Sequence, residues 1–358
     1  MPRVSVAAGA RLHFGFQNLS LAHERLYGAL GVGIDDPAVE VVAEPAEDVS
    51  VEMADHGAEP RSHGVADAST PDAPTPDAPT PDALADIRRY ASDACSLLDV
   101  PGVSIDVRTT IPRHVGLGSG TQLALATVAA VARSYDGEPA VRDHAPRLGR
   151  GGRSGVGVAA FEDGGFVLDV GHPTSRFTTH RPETGEWTVP AVAARHPIPD
   201  DWRFLLVLPD AEPGRNGDDE DRSIRAAVER ADPDVADRIA GIVTRRVLPA
   251  IVEGRADAFG EAVADVGRLN GAWYADEQGG VYRPPVGGIV ASLSDAPAIY
   301  GAGQSSWGPA VYGVTDATHA AAALEAGEAA LEAAGVDGTV RIVAGRNQGA
   351  RIEPRRNR

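Results

Sequence analysis

A glycine-rich stretch that ends in hydroxyl side chains is the feature of this sequence most suggestive of chemistry. Pro112-Arg-His-Val-Gly-Leu-Gly-Ser-Gly-Thr-Gln122 follows a predicted strand, Val103 to Arg108, and opens a predicted helix, Gln122 to Tyr135. Backbone N–H groups at a helix N-terminus bind phosphate, and glycines let the anion approach closely. Ser119 and Thr121 add hydroxyl donors. We interpret the stretch as a phosphate-binding loop, with an ordinary capped turn as the alternative.

Two familiar phosphate loops do not fit this stretch. A dinucleotide fingerprint would need a third glycine where Thr121 stands. A P-loop would need a lysine, and all 33 basic residues of the chain are arginine. The missing ammonium groups also exclude a Schiff-base lysine and a lysine general base.

Two further motifs could face a ligand. The loop Gly301-Ala-Gly-Gln-Ser-Ser-Trp-Gly-Pro309 could wrap a ligand with backbone amides while Trp307 supplies a flat surface. Its alternative is a tight structural turn with Trp307 in the core. In Arg11-Leu-His-Phe-Gly15, His13 could be a proton donor or a buried, hydrogen-bonded side chain.

Two groups of charged residues are candidates for binding anions or metal ions. Arg150 and Arg153, with Ser154, could clamp a phosphate or carboxylate bidentately, and pairing with surface acids is the alternative. We interpret the acidic run Asp218 to Asp221 as a solvated surface rather than a magnesium site.

The whole composition narrows the class of protein. Among 358 residues there are 51 acidic ones, and the net charge of −18 opposes binding to nucleic acids or anionic membranes. An acidic, lysine-free surface is typical of proteins from halophilic archaea. Cys95 is the single cysteine, so no internal disulfide can form. No stretch approaches about 20 apolar residues, and we expect a cytoplasmic protein.

The pattern of elements favours two domains of the α+β class. Strands and helices alternate irregularly in two groups rather than in one βαβ series. Within the first group, after a predicted strand near Val49 to Met53, Thr-Pro-Asp-Ala recurs three times within residues 65–83. Proline opposes both helix and sheet pairing, so we expect an extended surface insertion that can be deleted.

Three motifs in this order resemble those of the GHMP kinase superfamily. They are Arg11-Leu-His-Phe, Val115-Gly-Leu-Gly-Ser-Gly-Thr-Gln122 and Gly303-Gln-Ser-Ser-Trp-Gly-Pro309. With Gly149-Arg-Gly-Gly-Arg-Ser-Gly-Val-Gly157, they resemble more narrowly its β-ribofuranosylaminobenzene 5′-phosphate synthase family. Superfamily kinases typically read Gly-Leu-Gly-Ser-Ser, whereas this chain has Gly120 and Thr121, as the synthases do. The resemblance runs from about Arg3 to Ile352.

The resemblance implies a fold and a domain division. An N-terminal domain of the ribosomal S5 domain 2-like type would span 1–195, and a C-terminal ferredoxin-like domain would span 196–352, with the site between them. Residues 353–358 would form a basic tail.

The resemblance also implies a reaction. Phosphoribosyl diphosphate would condense with 4-aminobenzoate or 4-hydroxybenzoate, releasing CO2 and diphosphate, in the biosynthesis of a pterin-type cofactor such as methanopterin. We expect Mg²⁺ as cofactor, small-molecule substrates, and neither nucleic-acid nor membrane partners. The oligomeric state stays open, with a homodimer as one option.

Roles for individual residues follow from the same resemblance. Arg11, His13 and Arg153 are the expected catalytic residues, with the first two facing the acceptor. The expected substrate- and phosphate-binding residues are Gly116, Leu117, Gly118, Ser119, Gly120, Thr121, Gln122, Arg150, Ser154, Gly303, Gln304, Ser305, Ser306 and Trp307. The metal ligands stay unassigned.

Two rival functions remain open. An ATP-dependent small-molecule kinase would use the same loop, with Ser119 and Asp169 as a candidate pair. A non-catalytic descendant would bind phosphoribosyl diphosphate without turnover.

Overall fold

The computed structural model describes residues 2–53, 81–177, 185–212, 214 and 217–355. Most of the predicted Thr-Pro-Asp-Ala insertion lies outside the described residues, as do the last three positions of the predicted tail.

The described strands fall into two sheets. They are β1 (Arg3–Asn18), β2 (Arg25–Ala46), β3 (Ser50–Met53), β4 (Gly102–Thr109), β5 (Phe166–Asp169), β6 (His172–Pro173), β7 (Val192–His196), β8 (Trp202–Pro209), β9 (Gly301–Gln304), β10 (Val311–Asp316), β11 (Gly338–Ala344) and β12 (Arg351–Arg355).

The described helices lie between and against these strands. They are α1 (Pro81–Leu98), α2 (Ser119–Ser134), α3 (Val141–His144), α4 (Val156–Glu162), α5 (Gly217–Arg230), α6 (Pro233–Ile242), α7 (Leu248–Glu253), α8 (Ala256–Trp273), α9 (Ala275–Gln278), α10 (Val286–Ser294) and α11 (Ala320–Ala334). A single π-helical stretch, Val243–Val247, joins α6 to α7.

The first sheet is built on two long antiparallel strands, β1 and β2. β2 pairs with β4 along its second half and with β5 along its first, and β12 covers the other edge of β1. The pairing of β1 with β2 shifts register between Gly9 and Arg11 and again between His13 and Gly15. Such irregularities redirect side chains, so Arg11 and His13 stand where β1 departs from a regular ladder.

Helix α2 packs against β1 and β2 and is buried on nearly every side. Its alanine-rich sequence explains this position, because small side chains allow close approach to the sheet while alanine favours the helix. The helix therefore fixes its N-terminus, Ser119, relative to the start of the chain.

The second sheet has the strand order β11-β8-β10-β9, and each neighbouring pair is antiparallel. Numbered by sequence, this is the order 4-1-3-2 with helices after the first and third strands, which confirms the predicted ferredoxin-like domain. Strand β8 alternates as a two-sided strand should. Leu205 and Val207 pack with α10 and α11, whereas Phe204 and Leu206 join the core shared with the first sheet.

Several predicted boundaries differ from the structure. Residues 353–355 of the predicted tail belong to a strand, because Arg351–Arg355 form β12 and return the chain to the first sheet. Helix α1 begins at Pro81, and Ala83 is buried, so a deletion of 65–83 would remove the first turn of this helix. The glycine-rich stretch that ends at Gly157 enters helix α4.

Candidate functional site

A cavity of about 370 Å³ opens where the two domains meet. Its described walls come from β1, from the loop before α2, from the segment that precedes α4, from α5 and from the loop after β9. These segments are far apart in the sequence and include all three motifs. The predicted residues that line the cavity are Arg11, His13, Gly116, Gly118, Ser119, Gly120, Thr121, Arg150, Arg153, Ser154, Ser306 and Trp307.

The predicted phosphate loop adopts the conformation that the sequence suggested. Gly116 and Gly118 have positive φ angles of 97° and 79°, and α2 begins directly afterwards without a side-chain cap. The hydroxyl-bearing residues Ser119 and Thr121 lie at the cavity wall in the first turn of the helix. A helix N-terminus in this arrangement presents backbone N–H groups and positive potential to an anion.

The loop after β9 locks against the phosphate loop. The Ser305 hydroxyl donates to the carbonyl of Gly116 at 2.8 Å and accepts from the backbone N–H of His13 at 3.1 Å. The N–H of Ala310 donates to the carbonyl of Val115 at 3.0 Å. A Cβ at Gly116 would stand 2.0 Å from the carbonyl oxygen of Ser305. No residue larger than glycine fits this contact unless the backbone moves.

Five predicted binding residues have structural positions instead. Leu117 and Ser305 are fully buried, and Gln122 is buried while its amide donates to the carbonyl of Gly157 at 2.8 Å. Gly303 packs on Tyr312, and the Gln304 amide donates to the carbonyl of Ser306 at 3.1 Å. None of the five lines the large cavity. The polar groups of these residues hold the walls together rather than face a ligand there.

Arginine side chains make the large cavity cationic. Burial lowers the pKa of Arg11 to about 10, while nearby Glu220 acts in the opposite direction. The Arg150 guanidinium donates to the hydroxyl of Tyr90, and Arg153 donates to Asp221 at 2.5 Å. Burial acts to lower the pKa of Arg153, but Tyr27 and Asp221 raise it overall. The Nε atoms of Arg150 and Arg153 have no hydrogen-bond partner among the described residues.

His13 is a neutral imidazole at this wall. It is buried, and its pKa is lowered to about 3, first by burial and then by the charge of Arg11. Its Nδ1 atom has no hydrogen-bond partner among the described residues. The ring packs edge-on against Phe16 at 5.2 Å. His13 is therefore suited to accept or donate a hydrogen bond as a neutral ring, and not to act as a cationic acid near pH 7.

Two carboxylates that the sequence placed in a solvated surface line the cavity instead. Glu220 and Asp221 of α5 line it, so the interpretation of the run Asp218 to Asp221 as a purely solvated surface was wrong for its last two residues. Burial raises the pKa of Glu220, opposed most strongly by Arg153. A run of acidic residues has the same sequence pattern on a solvated surface and at a binding site. Only the packing of α5 shows that these two residues line the cavity.

The proposed kinase pair is not assembled. Asp169 is fully buried and accepts hydrogen bonds from the N–H groups of Gly155 at 2.8 Å and Gly171 at 2.9 Å. Burial raises its pKa to about 6 despite these bonds. Asp169 is not among the described residues that line the cavity with Ser119.

Comparison with known proteins agrees with the motifs. Residues 83–165 match the family described as GHMP kinases N terminal domain. Over 344 residues, the chain is 33% identical to the β-ribofuranosylphenol 5′-phosphate synthase of Methanothermobacter thermautotrophicus, covering 95% of this chain and 96% of the relative. The chain belongs to that synthase family. A synthase of the same name from Archaeoglobus fulgidus is 30% identical over 86% of each chain.

Solved structures confirm the two-domain GHMP fold. A homoserine kinase from Cytophaga hutchinsonii aligns with a TM-score of 0.61 and 16% identity, over 99% of this chain and 98% of its own. The mevalonate kinase of Methanococcus jannaschii aligns with a TM-score of 0.62 and 13% identity, over 96% and 98%. These likenesses concern the fold. The synthase relatives and the matching family description make this family member an enzyme of the GHMP superfamily.

Within the described ranges, no helix of this synthase-family chain is long and apolar enough to cross a bilayer.

The contact between Gly116 and Ser305 can be tested by adding one methyl group. Gly116→Ala should lower the free energy of unfolding by about 3 kcal/mol or more, because a positive φ and a backbone clash both oppose the Cβ. Gly279→Ala is the matched control, since Gly279 has a φ of 80° and open space around its Cβ position. This control should lose only about 1 kcal/mol. Equal losses in chemical unfolding would contradict the close contact.

The neutral state of His13 predicts a pH dependence. Its pKa lies at about 3 in the folded protein, below the unfolded value of about 6.5, so lowering the pH protonates the unfolded chain preferentially. Between pH 7 and pH 5 this linkage should remove about 2 kcal/mol of stability. His13→Gln should therefore lose about 2 kcal/mol less than the native protein over that range, measured by chemical unfolding at constant salt. Parallel pH profiles would show that folding does not lower the pKa of His13, which would contradict its neutral state at pH 5.

Proposed function

We propose that this enzyme joins phosphoribosyl diphosphate to an aromatic carboxylic acid and releases CO2 and diphosphate. The observation that carries the proposal is a cationic cavity, lined by a helix N-terminus and half-buried arginines, in a chain that belongs to a ribofuranosylphenol phosphate synthase family. Such a cavity suits a donor that carries a 5′-phosphate and a diphosphate.

The name of the relatives favours 4-hydroxybenzoate over 4-aminobenzoate as the acceptor. Those relatives are named for a β-ribofuranosylphenol 5′-phosphate. A phenol ring linked to ribose through carbon arises when 4-hydroxybenzoate loses its carboxylate at the carbon that bonds to the sugar. 4-Aminobenzoate would give the corresponding aniline.

The reaction balances without an added oxidant or reductant. The ring carbon that bears the carboxylate bonds to the anomeric carbon, and the bond from that carbon to the diphosphate breaks with its electron pair leaving on diphosphate. The bond to the carboxylate then breaks, its electrons restore the aromatic ring, and CO2 departs. No proton has to leave the ring carbon, so the step needs no general base, and His13 would be a weak one because its pKa is about 3. Inversion from an α donor to a β product places ring and diphosphate on opposite faces of the ribose.

The residues of the cavity divide between the two substrates. The first turn of α2, with Ser119 and Thr121, holds phosphate oxygens of the donor, and Arg150 and Arg153 neutralise the negative charge that grows on the departing diphosphate. Arg11 faces the acceptor carboxylate until CO2 leaves. Its guanidinium is held beside the phosphate loop by a 2.5 Å hydrogen bond to the carbonyl of Gly116, so both substrates lie within reach of one rigid wall.

The wall also fits Mg²⁺. This ion is commonly held by one or two carboxylates together with substrate phosphates, and Glu220 and Asp221 supply neighbouring carboxylates at the cavity. These two residues would hold the ion. When bound, it would add positive charge against the departing diphosphate. Burial raises the pKa of Glu220. The positive charge of the bound ion would oppose this effect and favour the ionised form of Glu220.

One assay separates this function from ATP-dependent phosphoryl transfer. Purified protein with Mg²⁺, phosphoribosyl diphosphate and 4-hydroxybenzoate should release CO2 and diphosphate in equal amounts, and neither should form when the aromatic acid is omitted. 4-Aminobenzoate should be the poorer acceptor. ADP formation from ATP with an alcohol substrate, without CO2 release, would contradict the proposal and favour a kinase.

An arginine pair provides the matched variants for that assay. Arg153→Ala should lower kcat/KM about 100-fold, because it removes a charge beside the departing diphosphate. Arg142→Ala removes an equally ion-paired arginine and should retain turnover. Arg142 bonds to Glu162 at 2.5 Å and does not line the cavity. Equal effects in both folded variants would remove Arg153 from the mechanism.

A further inference from the structure

A second, smaller cavity of about 50 Å³ adjoins the large one. The two share His13, Phe16, Ser306 and Trp307 as lining residues. The smaller one extends between β1 and helix α8 of the other domain. Its size suits a substituent rather than a whole aromatic ring, since a cavity that binds benzene measures about 150 Å³.

The smaller cavity is neutral. None of its described lining residues is an aspartate, glutamate, lysine or arginine, and His13 is uncharged because its pKa is about 3. A carboxylate placed there would lose its hydration without gaining a cation, which is costly. The neutral end of an aromatic acid therefore fits this cavity, while its carboxylate faces the arginines of the larger one.

Three amide side chains around the small cavity are already used. Both ends of the Asn270 amide bond the backbone of Phe16, at 2.7 Å and 2.9 Å. Gln304 bonds the carbonyl of Ser306, and Gln278 bonds the carbonyl of Val281 at 2.7 Å. These side chains brace β1 and the neighbouring loops and offer little to a ligand.

The hydroxyl of Tyr274, like the Nδ1 atom of His13, differs from these amides. Tyr274 follows directly after α8, only 7% of its surface is exposed, and its hydroxyl has no hydrogen-bond partner among the described residues. Its ring packs against Trp307 with centroids 4.4 Å apart, which fixes the ring at the wall of the small cavity. A buried hydroxyl without a partner is costly, so a ligand group that bonds to it would be selected.

We propose that the small cavity receives the 4-hydroxyl of the aromatic acceptor and that the Tyr274 hydroxyl hydrogen-bonds to it. Tyr274 is thereby a residue that determines acceptor specificity. This inference rests on the proposed function, because it takes the acceptor to be a 4-hydroxybenzoate-type acid. The orientation is consistent with the chemistry: the 4-position lies opposite the ring carbon that attacks the ribose, and so points away from the donor.

Binding measurements test this role apart from catalysis. With Mg²⁺ and inorganic diphosphate present, calorimetric titration of the native protein should show 4-hydroxybenzoate binding about tenfold more tightly than benzoate. Tyr274→Phe keeps the ring on Trp307 and removes only the hydroxyl, so the preference should fall to about one. A neutral hydrogen bond contributes a factor of roughly two to ten in affinity. Without ligand, the thermal midpoint of Tyr274→Phe should not fall, because no protein hydrogen bond is lost.

Tyr312→Phe is the matched control. Its hydroxyl is also buried, but it donates to the carbonyl of Val263 at 3.3 Å and lines neither cavity. This variant should keep the tenfold preference. If Tyr274→Phe also keeps it, or if the native protein has no preference, the role of Tyr274 is overturned while CO2 release still supports the proposed function. Failure to bind either acid, together with no CO2 release, overturns both.

Discussion

The contact of two backbone segments across the domain boundary holds the site together. Gly116 lies against the carbonyl of Ser305, and a Cβ at Gly308 would stand 1.8 Å from the carbonyl carbon of Val115. At this separation only glycine fits on either side, and the Ser305 hydroxyl bridges the segments by bonding to both Gly116 and His13. These contacts therefore join the start of α2, the irregular part of β1 and the loop after β9 into one unit. Any ligand in the cavity touches three parts of the chain whose relative position is set by this contact.

The same unit borders a charged cavity and, next to it, an uncharged one. The chain carries a net charge of −18, yet Arg11, Arg113, Arg150 and Arg153 all line the large cavity. Their charge is partly balanced by Asp86, Glu220 and Asp221, so an anion that enters has to compete for, and then replace, existing ion pairs. The adjoining small cavity has no such charges. A substrate with anionic and neutral ends is oriented by this difference alone, because each end loses free energy in the wrong environment.

The sequence was sufficient for the fold and for part of the site. The ordered motifs predicted the family, the two-domain fold and the phosphate loop, because glycines at positions of positive φ and a helix start have local signatures. It was not sufficient for the directions of side chains. Gln304 and Ser305 look like ligand-binding residues in a glycine-rich loop, but the partners that engage them, Ser306 and Gly116, are known only from the fold. Glu220 sits in a run of acids typical of a solvated surface, and Tyr274 sits in no motif at all. Their positions depend on how α5 and α8 pack, which no local pattern reveals.

The proposed function requires the large cavity to hold phosphoribosyl diphosphate and the adjoining wall to hold the aromatic acid. A crystal structure with phosphoribosyl diphosphate, Mg²⁺ and benzoate, which lacks the electron-donating hydroxyl needed for reaction, tests this most directly. We expect phosphate oxygens at the first turn of α2 and beside Arg153, with the benzoate carboxylate toward Arg11. Donor bound outside this cavity, or benzoate turned with its carboxylate in the neutral cavity beside Tyr274, would contradict it.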